Sequence, residues 1–117
     1  MGIPRLKFRL SIEPINSPEF KHEVISVKKV RKHVLIKGLV QGVWFRATTR
    51  EQAIAIGLTG WVQNVYNGDV EAVFEGEAED VETIINWCHN GPQFARVEKV
   101  EIKTEAYRGE FSTFSIK

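Results

Sequence analysis

The sequence predicts an α+β sandwich: one mainly antiparallel sheet with two helices on one face, in the order βαββαβ followed by a short edge strand. Three observations carry this. From Val30 onward the apolar residues switch between a period of two and a period of about 3.6 in that order. Asn67-Gly68, both tolerant of positive φ, stand between two strand-like runs as a hairpin turn. Gly57 follows the first helical run as a C′ glycine, and Asn90-Gly91-Pro92 ends the second.

The first strand is read from the short, partly β-branched run His33-Val34-Leu35-Ile36-Lys37-Gly38-Leu39-Val40. A loop, Gln41-Gly42-Val43-Trp44, leads into a helix whose stripe is Phe45, Thr49, Ala53 and Ile56. Leu58 to Gln63 form the second strand. Val70, Ala72 and Phe74, alternating with Glu71 and Glu75, form a half-buried third. Val81, Ile84, Ile85 and Cys88 fall at i, i+3, i+4 and i+7 of a second helix. Val100, Ile102 and Thr104 alternate with Glu101, Lys103 and Glu105 in a fourth strand, and Phe114 and Ile116 alternate in a short fifth after a turn at Arg108-Gly109. This split βαβ order is the ferredoxin-like arrangement, which hosts many functions and implies none by itself.

At 117 residues, with 43% hydrophobic and 26% charged residues, the chain is sized and composed as one soluble domain. Its charge is uneven. Residues 1–32 carry eight Lys/Arg against three Glu, a net +5, whereas residues 33–117 carry a net −4. Three of four prolines (Pro4, Pro14, Pro18) lie in the first 20 residues. Residues 1–28 are therefore expected to be a basic, flexible extension, and residues 29–117 the domain. Glu19-Phe20 is also what a common cloning-site hexanucleotide encodes, which allows part of the extension to be vector-derived. No apolar run approaches the roughly 18 residues of a membrane span, and Met1 to Lys7 hold no apolar signal-peptide core. A lone cysteine, Cys88, excludes an internal disulfide and fits a reducing cytosol; scattered His22, His33 and His89 do not suit a zinc site. A cytoplasmic monomer with no membrane, nucleic-acid, metal or cofactor partner is expected.

The topology brings chemistry to one end of the sheet. A βαβ unit makes the first two strands parallel, so the loop Gln41–Arg46 and the side chain of Asn64 should converge. The loop opens a helix N-terminus, where free N–H groups and the positive dipole end favour an anion, and Gly42 allows close backbone approach. Arg46 in the first turn opposes the dipole unless an anion lies between them. The residues support two readings of Arg46: an anion clamp, or an ordinary solvated arginine. Asn64 likewise is a strand-end turn residue or a site residue. Trp44, Trp61 and Trp87 are read as packing residues, Thr48 and Thr49 as helix first-turn residues, and Cys88 as a small core residue.

Gly38-Leu39-Val40-Gln41-Gly42-Val43-Trp44-Phe45-Arg46 resembles the first acylphosphatase signature, G-x-V-Q-G-V-x-F-R. Gly60-Trp61-Val62-Gln63-Asn64-Val65-Tyr66-Asn67-Gly68-Asp69-Val70, with Gly76 six residues later, resembles the second, G-W-V-x-N-x-x-x-G-x-V-x5-G. The resemblance covers about residues 31–117. It implies hydrolysis of a small acyl phosphate to a carboxylate and inorganic phosphate. It carries phosphate binding to the loop Gln41, Gly42, Val43, Trp44 and Phe45 and to Arg46, and positioning of the attacking water to Asn64. It implies no metal or cofactor. The competing class is a non-catalytic anion- or RNA-binding module of the same topology, but no stretch resembles the aromatic RNA-recognition motif K/R-G-F/Y-G/A-F-V-x-F/Y.

Overall fold

A computed structural model describes residues 28–117. The expected flexible extension lies, apart from Lys28, outside the described residues. The elements are β1 (Lys29–Leu39), α1 (Phe45–Ile56), β2 (Thr59–Asn64), β3 (Val70–Glu77), α2 (Ala78–Cys88), β4 (Arg96–Glu105) and β5 (Phe114–Ile116). Their order in the sheet is β4-β1-β3-β2-β5. β1 and β2 both pair antiparallel with the central β3, so they run the same way. β4 is antiparallel to β1 at one edge, and β5 is parallel to β2 at the other. The predicted α+β sandwich and its element order are therefore present.

The period-2 pattern sorts the sheet into two faces. Val34, Ile36, Val62, Val70, Ala72 and Phe74 point to the helices and are fully buried. The predicted α2 stripe, Val81, Ile84, Ile85 and Cys88, is buried against them, as are Phe45, Thr49 and Ala53 of α1. α1 packs over β2 and β5, and α2 over β1 and β3. β4, another alternating strand, is largely exposed. Val97 and Val100 pack against the core, but Ile102, further along this edge strand, is 46% exposed.

The opposite face of the sheet is polar, and it explains how the chain reaches β5. β4 and β5 lie at opposite edges, so the segment 106–113 must cross the sheet. Glu75, 1% exposed on the central strand, accepts the N–H groups of Arg108 (2.9 Å) and Gly109 (3.1 Å). Arg31 Nη1 donates to Glu75 and to Glu110, both at 3.1 Å, and its Nε to Glu105 at 2.7 Å. The guanidinium also lies 5.5 Å from the Phe111 ring centroid. One buried arginine thus pins three carboxylates and straps the crossing segment down. His33 adds contacts to Glu71 (2.6 Å) and Glu105 (3.3 Å).

Near its end β1 is irregular. The register with β4 shifts between Lys37 and Gly38. Gly38 has φ 131, and a Cβ there would stand 2.2 Å from the Arg96 carbonyl oxygen. Such bulges bend a strand and re-aim the chain beyond them, here the segment that leaves the sheet at Val40.

The bulge and the buried arginine can each be tested. Gly38→Ala forces a side chain into a strained φ against backbone, so urea denaturation should show a loss of about 1–3 kcal/mol; an unchanged midpoint would contradict the close approach. The Arg31 hydrogen bond, aided by the charges of His33 and Arg31 and opposed by burial, holds the Glu105 carboxyl below its ordinary 4.5. A depressed carboxyl contributes stability that is present above its unfolded pKa and lost as pH falls through the folded one. The denaturation midpoint should drop as pH falls below about 4.5, and the drop should be shallower in Arg31→Met.

Candidate active site

β3 sets the level of everything at this end of the sheet. Val70 pairs with Ile36 of β1 on one side and with Asn64 of β2 on the other. Beyond Ile36 the chain bends at the Gly38 bulge, buries Val40, and turns through 41–44 into α1. The loop and Asn64 therefore meet at one end of the sheet, as the βαβ argument requires. A cleft of about 390 Å³ lies between them. Gly42, Trp44, Phe45, Arg46 and Asn64 line it, together with Val40, Ala47 and Ile116.

The start of α1 is an electropositive end with nothing among the described residues to neutralise it. The first hydrogen bond of the helix runs from Thr48 N–H to Trp44 O at 3.0 Å. The N–H groups of Phe45, Arg46 and Ala47 precede it and lack intrahelical partners. No side chain caps them, and the first turn holds no acidic residue, whereas α2 opens with Glu79 and Asp80. Arg46 makes no ion pair among the described residues. Gly42 has φ 75, and a Cβ on it would meet nothing within 4 Å, so its backbone borders open space in the cleft. Trp44 has φ 68, the one non-glycine positive φ among the described residues. Turns of this kind aim successive N–H groups to one side, forming an anion-binding concavity. Left-handed tryptophan costs about 1 kcal/mol or more, a strain that collects at ligand clamps.

Asn64 contributes the complementary feature. Its Oδ1 is buried and has no hydrogen-bond partner among the described residues. A buried acceptor left unpaired costs about 1–3 kcal/mol.

Not every predicted site residue faces the cleft. Val43 turns inward and packs against the core. Gln41 points its amide away from the cleft, to the carbonyls of Val65 (2.7 Å) and Asp69 (2.9 Å). Thr49 is buried and its hydroxyl donates to Phe45 O at 2.8 Å, the first-turn role expected. Trp87 packs on Phe45 with centroids 5.4 Å apart, again as expected. Trp44 is the exception to the packing expectation. It is 75% exposed at the cleft mouth, because its left-handed backbone swings the side chain outward. Trp61 lies on the polar sheet face, between His33 and Lys117. Cys88 is fully buried, and burial pushes its thiol up to about 12, so it is an inert core residue. Among the described residues no group of three or more His, Cys, Asp and Glu side chains is placed to hold a metal ion.

The acylphosphatase family profile matches residues 32–116, which takes in the whole cleft. The chain belongs to the acylphosphatase family. It is 52% identical over 89 residues to the acylphosphatase of Geobacter sulfurreducens, covering 76% of this chain and 98% of that one. It is 45% identical over 113 residues to the acylphosphatase of Rubrobacter xylanophilus, covering 97% of each. The solved acylphosphatase of Coxiella burnetii superimposes with a TM-score of 0.73 at 36% identity, over 76% of this chain and 93% of that one.

Sequence reasoning missed Ile116 as a cleft residue, since a three-residue strand gives little pattern and its parallel pairing with β2 is non-local. The missing cap on α1 was legible in principle, because Trp44 stands where Ser, Thr, Asp or Asn is favoured.

If the α1 N-terminus and Arg46 hold an anion, inorganic phosphate should stabilise the fold, by about 2.7 kcal/mol at 100 times its Kd. Arg46→Ala should abolish that shift. Its stability without phosphate should change little or rise by about 0.3–1 kcal/mol, since a cation opposing the dipole is removed. A thermal shift with phosphate that is equal in both proteins would contradict the assignment.

Proposed function

We propose that this cleft hydrolyses acyl phosphates to a carboxylate and inorganic phosphate. In this reading the loop amides and Arg46 hold the phosphoryl oxygens and Asn64 holds the attacking water. The observation that carries it is two features, unpartnered among the described residues, that line one cleft: the uncapped helix N-terminus with Arg46, and Asn64 with its buried amide oxygen. The first suits an anion and the second suits a neutral donor. Family membership supports the same chemistry.

The reaction needs little more. An acyl phosphate is a mixed anhydride, and its leaving group is a carboxylate of pKa roughly 4, comparable to Glu. It departs without a general acid. The water oxygen attacks phosphorus as the bond from phosphorus to the acyl oxygen breaks, giving the carboxylate and dihydrogen phosphate. Enzymatic phosphoryl transfer is mostly positioning and charge stabilisation. The guanidinium fork grips two oxygens at once, which a lysine does not. Asn64 Oδ1 accepts from the water and so limits the freedom it must lose before in-line attack.

The reading also takes the protein to be a cytoplasmic monomer that acts on a small substrate without nucleic acid. In the RNA-binding alternative the open sheet face would bind bases. Here segment 106–113 crosses that face, and Glu71, Glu75 and Glu105 occupy it, which disfavours a polyanion. No described helix is long and apolar enough to cross a membrane.

Benzoyl phosphate with detection of released phosphate tests the assignment. Wild type should turn over without added metal. Asn64→Ala should lower kcat by at least about 10²-fold, while the Ki for phosphate stays within a few-fold. That split marks a group acting on the nucleophile rather than on ground-state binding. Parallel collapse of both constants in a folded variant would instead place Asn64 in the phosphate cradle.

A further inference from the structure

Asn64 Oδ1 has no hydrogen-bond partner among the described residues. The position of this group is therefore set by its backbone. Asn64 is the last residue of β2, opposite Val70, and the next five residues form the hairpin turn. That turn is closed internally by Val65 N–H to Asp69 O at 2.8 Å and Gly68 N–H to Val65 O at 2.9 Å. Its tip is tightened by Asn67, whose Oδ1 accepts from Asp69 N–H at 3.0 Å. These bonds shape the hairpin, but none of them ties it to the phosphate loop.

Gln41 makes that tie. Its Nε2 donates to Val65 O at 2.7 Å and to Asp69 O at 2.9 Å. Both acceptors are carbonyls, so the amide orientation is dictated: a flipped Gln41 would set its oxygen against two others. Both N–H groups of the side chain are spent here and none remains for a phosphate oxygen. Each carbonyl is already bonded within the turn, so Gln41 fills its second acceptor position. A salt bridge from Lys37 Nζ to Asp69 at 2.8 Å holds the same turn from β1.

We propose that Gln41 is a positioning residue: its side chain is the strut that fixes the spacing between the phosphate loop, which begins at Gln41 itself, and the β2 terminus that carries Asn64. The inference rests on the proposed roles of the loop and of Asn64. It reassigns the Gln41 side chain from binding phosphate to aligning the water-bearing group with the phosphorus. Misplacement of a reacting group by about 1 Å can cost about 10²-fold in rate, so a strut between the two halves of the site governs kcat without touching substrate.

The test is a double-mutant cycle on benzoyl phosphate, with kcat and the phosphate Ki measured for wild type, Gln41→Met, Asn64→Ala and the double variant. Gln41→Met keeps the side chain's length and removes both donors. It should lower kcat by about 10-fold to 10²-fold with the phosphate Ki within about 3-fold. In the Asn64→Ala background the same change should alter kcat by less than about 2-fold, since the group that Gln41 positions is gone. An equal loss in both backgrounds overturns the proposal. So does a rise in Ki that parallels the loss of kcat, which would make the side chain a phosphate ligand, and so does an unchanged kcat in Gln41→Met. If Gln41→Met does not fold, Gln41→Asn, which keeps the donors on a shorter stem, is carried through the same cycle with the same criteria. Failure of the underlying reading looks different: Asn64→Ala alone then leaves kcat near wild type.

Discussion

Three N–H groups and a guanidinium share the first turn of α1 with no acceptor among the described residues to satisfy them. A helix N-terminus carries about half a positive charge, and Arg46 adds a full one beside it. A protein with no anion to bind would resolve this conflict with a capping serine or an acidic first turn, as α2 does with Glu79 and Asp80. Here Trp44 takes the cap position with φ 68 and offers no side-chain acceptor. In the proposed reading, a phosphoryl group entering the cleft offsets the uncompensated charge and the cost of the strained turn. The bulge at Gly38, the exposure of Gly42 and the burial of Phe45 all serve to present that turn to the cleft.

The second half of the site depends on non-local geometry. Asn64 faces the loop only because β3 lies between β1 and β2 and pairs antiparallel with both. β3 in turn carries Glu75 on its other face, the anchor for the segment that brings β5 alongside β2. The polar face of the sheet and the cleft are thus linked through one central strand. The buried Arg31 that satisfies Glu75 holds the frame on which Ile116 reaches the cleft.

Much of this is legible in the chain because the signals are local. Asn67-Gly68 announces its turn by allowed φ alone, and the Val81, Ile84, Ile85, Cys88 stripe announces α2 by spacing alone. Topology brings the loop with Arg46 and the strand end with Asn64 together, whereas the roles expected of the two residues come from the motifs that carry the family resemblance. The features that escape are those that depend on distant partners. Arg31 and Glu105 are 74 positions apart, and no periodicity reports their contact. Gln41 opens the loop and so reads as a phosphate ligand, yet its amide reaches carbonyls 24 and 28 residues away. Trp44 reads as packing because aromatic side chains usually are, and only its left-handed backbone turns it outward.

The central claim is that one phosphoryl group is held between the start of α1 and Asn64. An amide and side-chain NMR titration with inorganic phosphate tests it most directly. The account predicts saturable shifts at the N–H groups of Gly42 through Ala47 and at Arg46 Nε, with a smaller change at the Asn64 side chain. Saturable shifts centred on the Arg31 and His33 face of the sheet, with the α1 N-terminus silent, would contradict it.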